Sequence, residues 1–500
     1  MQNNYTIGPH SFTCEKCAKT FRILHQTPSS YGNTLRTSTE FSRGTSPGVY
    51  VPLQNTNNAV TNVTNKNVKP NINTSTSAQL QQYYDEVLNL DKSTYKSSND
   101  EPTPINCIKE MIAKLPDELW RRPDLKILDP CCGNGNFAIP VLDQLLHSSK
   151  TITKKHIMEN VLYFNDTNQA RLQNVRSVFC ADTYNLHISA DDFLTPNVSA
   201  AQPYDLIMVN PPYAKLMADG KRASKNHNLI KDFIEASLKQ LKPNGYLLFI
   251  TPDNWMSYAD RNQLIERLTS LQIIHLDIHG AKRHFKKIGS SFTWYIIQNC
   301  AAYQNMTISG IWKSKQYTSS VVSKPRKFIP LFYTDMVESI LSKTVNNADL
   351  AKFEVKTSSD LHRFTKSEFI SNEKTATHIY KLIHTPKQTV YANRPHKYQE
   401  GYKVFMSTTD KYGVFVDNCG MTQSIVFILC GSQEQAESYK QILEHPMYVF
   451  INNICRWGNF NNIRILQHFP KPPPGTISER DIYEHFGISA EEQTFIQNNM

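Results

Sequence analysis

Between residues 125 and 297 the chain returns six times to a short apolar run: 125–128, 161–164, 206–209, 246–250, 273–278 and 292–297. Each run is too short for a helix and apolar nearly throughout, which is the pattern of a strand buried on both faces. Amphipathic helical stretches separate the runs. The clearest precedes the fourth, with Leu229, Ile230, Phe233, Ile234, Leu238 and Leu241 on one side and Gly245 after it. Strands alternating with helices predict an open, mostly parallel sheet covered on both faces, which takes its ligands at the carboxyl ends of the strands. The last two runs lie close enough for a hairpin-like pair, with a direction the sequence leaves open.

Two of these strand ends carry chemistry. The first continues as DPCCGNGNF, residues 129–137. Asp129 and Pro130 close the strand, and Gly133 and Gly135 let the backbone approach a ligand where a Cβ would collide. The helix from about Phe137 offers free amides to a carboxylate. A dinucleotide site fails on spacing, because G-x-G-x-x-G is absent and the acid precedes the glycines. Cys131 and Cys132 suit small fillers of the loop. The third run ends in NPPY, with Asn210, Pro211, Pro212 and Tyr213. The Asn210 side-chain oxygen and the Pro211 carbonyl are two acceptors for one planar amino group. Proline stiffens the turn so that the acceptors are held ready. Tyr213 adds a flat face on which a base can stack.

In this order of motifs, residues 101–300 resemble the gamma class of N6-adenine-specific DNA methyltransferases, of the kind found in restriction-modification systems. The resemblance implies an α/β fold: a Rossmann-like S-adenosylmethionine (AdoMet)-dependent methyltransferase sheet with a C-terminal α+β target-recognition domain. It also implies AdoMet as cofactor and an adenine flipped out of double-stranded DNA as target. Thr103 and Pro104 match the family's T-P motif, which encloses the methionine end. Asp166, with Asn165 as the neighbouring candidate, matches the acid that holds the ribose. Asp192 and Phe193 match the contacts to the cofactor's adenine. A second aromatic wall for the extruded base is expected from Phe285, with Phe292 as the alternative.

With 500 residues and 40% apolar content, the chain is expected to hold more than one domain. Residues 1–27 look like half of a zinc finger. Cys14 and Cys17 have ligand spacing, and His10 and His25 are the irregular candidates to complete a zinc site. Residues 28–78 are rich in Ser, Thr and Asn and are predicted to be a disordered linker. The catalytic domain is expected over 79–305, with Thr103 capping a helix over Ile105, Ile108, Ile112 and Leu115. The target-recognition domain is expected over 306–470. A proline-rich break and a helical tail occupy 471–500, with caps at Ser478 with Asp481 and Ser489 with Glu492.

Net charge is +10 and the pI about 8.9, which suits an anionic partner. In residues 310–470, Lys and Arg outnumber Asp and Glu by 20 to 13. Arg456 and Asn459, in RWGNFNNIR, are side-chain types that read base edges. Arg394 is a second candidate. Lys215, Lys221 and Arg222, just after NPPY, are candidates for the DNA backbone. The ten cysteines form no dense framework, no apolar stretch approaches membrane length, and the N-terminus lacks a signal peptide's core. An intracellular monomer with no membrane partner is expected; a separate cognate restriction endonuclease is a candidate partner whose existence the sequence leaves open. The same tetrapeptide serves enzymes that methylate an RNA base or a protein glutamine amide. The large basic C-terminal region favours DNA over both, and the intact motifs argue against an inactive DNA-binding relative.

Overall fold

A computed structural model of the protein describes residues 69–95, 101–195, 203–213, 229–260, 263–285, 291–409, 411–475 and 478–500. His10, Cys14, Cys17, His25, Lys215, Lys221 and Arg222 lie outside them. The α/β fold class read from the sequence holds. Nine strands make one sheet, in the order β3-β2-β1-β4-β5-β7-β6-β8-β9. Their ranges are β1 Ile127–Asp129, β2 Leu162–Asn165, β3 His187–Ser189, β4 Tyr204–Val209, β5 Leu241–Pro252, β6 Leu271–Ile278, β7 Phe292–Ala301, β8 Met306–Trp312 and β9 Lys315–Val321. β1 to β5 pair in parallel. β7 inserts antiparallel between β5 and β6, which fixes the direction of the last two apolar runs.

β4 shows why the runs are continuous. Leu206 and Met208 join the core on one face, Ile207 and Val209 the core on the other, and all four are buried. Each such side chain contributes about 1.5–3 kcal/mol when fully buried, so the sheet is stable only with both faces covered. Helices Ser77–Tyr83, Ile105–Ile112, Ala138–Ser148 and Gln169–Val178 cover the first face; Ile230–Gln240 and Gln263–Thr269 cover the second. Packing begins inside the stretch expected to be linker: Ile72 is buried and its N–H donates to the Val178 carbonyl at 2.9 Å.

The sheet continues past residue 305. β8 pairs in parallel with β6, and β9 returns antiparallel to β8 through Lys313 and Ser314, both at positive φ. Beyond it lie two four-stranded sheets. One holds Lys356–Thr357, Ile425–Leu429, Lys403–Ser407 and Val414–Asp417; the other holds Ile370–Ser371, Gln388–Ala392, Tyr380–Thr385 and Gly420–Met421. The second-face core of the large sheet runs without a break from Leu128 and Phe249 through Phe332 and Ile340 to Phe450, Ile454 and Ile496. The tail helices Glu479–His485 and Ala490–Asn499 start at Ser478 and Ser489, and the latter forms a capping box with Glu492. No described helix is long and apolar enough to cross a membrane. The carboxyl ends of β1, β2 and β4 open together onto one cavity.

Candidate active site

The cavity has a volume of about 740 Å³, within the range of small-molecule sites, roughly 300–1,000 Å³. Its floor is the loop after β1. Asp129 is only 4% exposed; its Oδ1 accepts from the Cys131 N–H at 3.3 Å, and its Oδ2 has no partner. Burial pushes this carboxyl well above the usual carboxylate range, opposed by the Cys131 N–H and reinforced by the charge of Asp166. The two glycines are required for different reasons. At Gly135, φ +87°, a Cβ would stand 2.7 Å from the Phe179 ring. At Gly133, φ +54°, the nearest atom is an Arg171 guanidinium nitrogen at 3.9 Å, so the backbone angle alone favours glycine. Phe137 is the N-cap residue of Ala138–Ser148, one position before the helix proper, and is buried.

At the end of β2 the two acid-site candidates separate. Asn165 donates to the Pro130 and Asp191 carbonyls, and its oxygen accepts from Ser189 Oγ and the Asp191 N–H. Its polar groups are spent on joining the loop to β3. Asp166 lines the cavity and accepts from the N–H groups of Gly133 (2.9 Å) and Asn168 (2.8 Å), with a lone pair left on each oxygen. Beyond it, Asp192 is exposed and accepts from the Leu194 N–H, while Phe193 is buried and stacked on Phe233, centroids 6.0 Å apart.

The NPPY turn shares the same cavity. Asn210 Nδ2 donates to the Glu101 carbonyl (3.0 Å) and to Thr103 Oγ1 (3.1 Å), which directs Oδ1 the other way. Thr103 therefore does not cap the following helix. Pro104, extended at φ −61° and ψ 138°, is the N-cap, and the buried Thr103 hydroxyl serves Asn210 instead. The Tyr213 hydroxyl donates to Asn210 Oδ1 (2.5 Å) and lies 3.2 Å from the Ile250 carbonyl. Burial pushes the Tyr213 phenol well above its usual range, with Tyr295 and Cys131 acting in the same direction. Both aromatic alternatives are present: Phe285 and Phe292 stack at 4.8 Å, and Phe292 meets Tyr213 at 6.1 Å, so three rings wall one side of the cavity.

Several supporting residues escaped the sequence reading. Tyr84 donates to the Asn134 carbonyl at 2.7 Å and Asn136 to the Thr103 carbonyl at 2.9 Å, which lock the glycine loop from behind. The T-S-A-Q capping box at Thr76 to Gln79 is the signal that marks the helix leading to Tyr84. Tyr95, under the Arg171 guanidinium at 4.5 Å, and Asp232 also line the cavity.

Of the C-terminal candidates, Arg394 is held by Asp360, with N–O distances of 3.0 and 3.4 Å. Asn459 is exposed, and the Arg456 Nε is buried without a partner. Among the described residues no group of His, Cys, Asp and Glu is arranged to hold a metal ion. The zinc candidates His10, Cys14, Cys17 and His25 lie outside those residues.

Residues 140–282 match the protein family described as Eco57I restriction-modification methylase. The Type II methyltransferase M.VspI of Vibrio sp. (strain 343) is 27% identical over 252 residues, 47% of this chain and 59% of that protein. The Type II methyltransferase M.PstI of Providencia stuartii is 27% identical over 180 residues, 32% of this chain and 35% of that one. The chain thus spans less than two thirds of either relative. A solved structure of a nuclease-deletion mutant of the Type ISP restriction-modification enzyme LlaGI, in complex with a DNA substrate mimic, superposes with a TM-score of 0.50 at 11% identity, over 85% of this chain and 56% of that one. At that identity the likeness is one of fold.

Proposed function

We propose, from the match of residues 140–282 to the Eco57I restriction-modification methylase family, that the chain transfers a methyl group from AdoMet to N6 of an adenine flipped out of double-stranded DNA. The observation that carries this reading is the sharing of one cavity by the Gly133 loop, the Asn210–Tyr213 turn and three aromatic rings.

The residues fit AdoMet. The buried, unpartnered Oδ2 of Asp129 suits a cationic amino group, the open Gly133 suits close backbone approach, and Asp166 suits the ribose hydroxyls. Phe193, with Asp192 and Phe233, suits the adenine end; Thr103, which lines the cavity, is assigned with Pro104 to the methionine end. When bound, AdoMet supplies a methyl group made electrophilic by a positively charged sulfur.

The chain's own residues then do three things. Tyr213, Phe292 and Phe285 stack the extruded base, which is unreachable inside the duplex. Asn210 Oδ1 and the Pro211 carbonyl accept from the two amine hydrogens and favour a more tetrahedral nitrogen, which frees its lone pair. The Glu101 carbonyl and Thr103 Oγ1 hold Asn210 in that orientation beforehand, so little reorganisation is needed at the moment of transfer. The proton leaves after the methyl group has arrived. Lys215, Lys221, Arg222 and Asn459 are assigned to the DNA surface, with a cognate endonuclease as a separate partner.

The test is labelled methyl transfer from AdoMet to unmodified DNA, followed by chromatography of the hydrolysed bases. Label in N6-methyladenine, lost in Asn210→Ala, is the expected result. Label in RNA or in a protein glutamine instead overturns the substrate assignment.

A further inference from the structure

The loop 456–460 is fixed where the C-terminal region meets the catalytic strand ends. Trp457 packs edge-on against His279, centroids 5.4 Å apart, and His279 follows directly on β6. The His279 imidazole lies 2.7 Å from Asp253, just past β5, and the Asp253 N–H bonds the Ser291 carbonyl, next to the cavity residue Phe292. Three successive contacts thus link the loop to the strand that carries Phe292. Its tip is pinned from behind: Phe460 forms β-bridges with Thr409 and Trp457, and Asn461 Nδ2 donates to the Ser407 carbonyl at 2.8 Å.

On this tip Phe460 is 63% exposed beside an open groove of about 410 Å³. A single exposed phenylalanine is ordinary on a protein surface. This one is tied by β-bridges on a loop that reaches the strand ends through Trp457 and His279, and the same loop carries Arg456, whose Nε has no hydrogen-bond partner. Apolar side chains inserted between base steps open stacked DNA, and a void left in the stack is costly unless it is filled.

We infer that Phe460 is the wedge that enters the base stack as the target adenine leaves it, with Arg456 on the adjoining phosphate. This rests on the DNA-adenine reading above. Once inserted, the ring replaces the lost stacking and keeps the partner base from recapturing the adenine. It touches neither the cofactor nor the reacting nitrogen, so its effect falls on extrusion and not on transfer.

The experiment uses the full chain and two duplexes carrying its recognised sequence, read beforehand from the methylated positions in genomic DNA. In one the target adenine pairs with thymine; in the other it faces an abasic site, where extrusion is cheap. Phe460→Ala is expected to slow single-turnover transfer on the paired duplex by about ten- to a hundredfold, and by no more than about threefold on the abasic duplex. Phe460→Trp is expected to retain transfer on both. AdoMet affinity unchanged in the variants shows that they are folded. An equal loss on the two duplexes, or no loss on the paired one, overturns the inference while the DNA reading stands. Wild-type protein that labels neither duplex overturns both.

Discussion

Across 2.5 Å the Tyr213 hydroxyl donates to Asn210 Oδ1, the oxygen assigned to the substrate amine. The opposite end of the same amide is fixed by Glu101 and Thr103, so Asn210 keeps its direction without the tyrosine. On the proposed function, the hydroxyl thus holds a place that the amine hydrogen takes up. Tyr213→Phe keeps the ring and is expected to retain transfer within about tenfold, at a stability cost of about 1 kcal/mol for the lost buried hydrogen bond. Asn210→Ala removes the acceptor itself and is expected to lower kcat by about 10²–10³-fold, as the loss of a preorganised polar partner does elsewhere. Single-turnover rates and thermal melts of the two variants check this; equal losses would mean that the hydroxyl, and not the amide, carries the chemistry.

Asn165 and Asp166 stand side by side at the end of β2 and are expected to fail differently. Asn165→Ala strips four hydrogen bonds that tie the glycine loop to β3. It is expected to cost about 2–3 kcal/mol in unfolding stability, since buried partners are left unsatisfied. Asp166→Ala leaves that network intact and is expected to weaken AdoMet binding by at least about tenfold, the loss of one charge-assisted pair. Denaturant melts beside cofactor titrations separate the two, and a fully stable Asn165→Ala would contradict the assignment.

Much of this was legible because strands buried on both faces need unbroken apolar runs, and the motifs at their carboxyl ends stand out from them. The missed strands lack that signature. β3 and β9 are edge strands, and Lys315–Val321 is mostly polar. The β8–β9 turn uses Lys313 and Ser314 at φ +46° and +65°, where Asn-Gly is the usual signal. In the site, Asn210, Gly133 and Asp166 announce themselves by position in a motif. Tyr84, Tyr95 and Asp232 reach it only through tertiary packing, which leaves no local pattern. Asn165 and Asp166 differ in hydrogen-bond geometry, and Phe285 and Phe292 share one wall, neither of which a linear pattern displays.

Acid is expected to weaken the fold through histidines that are neutral when buried. Burial lowers His275 to about 4, with Lys114 adding to the effect, and burial also lowers His384 and His396 to about 4. The ordinary histidine value is 6.5. Between these limits the unfolded chain binds protons that the folded chain refuses, so stability falls as the pH drops from 6.5 towards 4. His275 is stacked on Trp294 and bonded to Ser309 Oγ at 2.9 Å, and all three histidines are buried. Each sets an upper slope of about 1.4 kcal/mol per pH unit, and at His396 the nearby Asp360 charge opposes the shift. Melting temperatures measured from pH 7 to 5 are expected to fall, with a shallower fall in His275→Gln, and parallel curves would refute the contribution.

Because β8 and β9 belong to the large sheet, and one apolar core runs from Leu128 to Ile496, the two halves of this protein are not interchangeable cassettes. A chimera spliced after β7 would strip the sheet's last two strands and expose the flank of β6. Grafting a different C-terminal region onto the half that bears the cavity calls for a junction beyond Val321 and for matched apolar surfaces on both sides of the seam. On the proposed function, drift in DNA specificity therefore has an easier route through substitutions at loop tips than through exchange of whole segments.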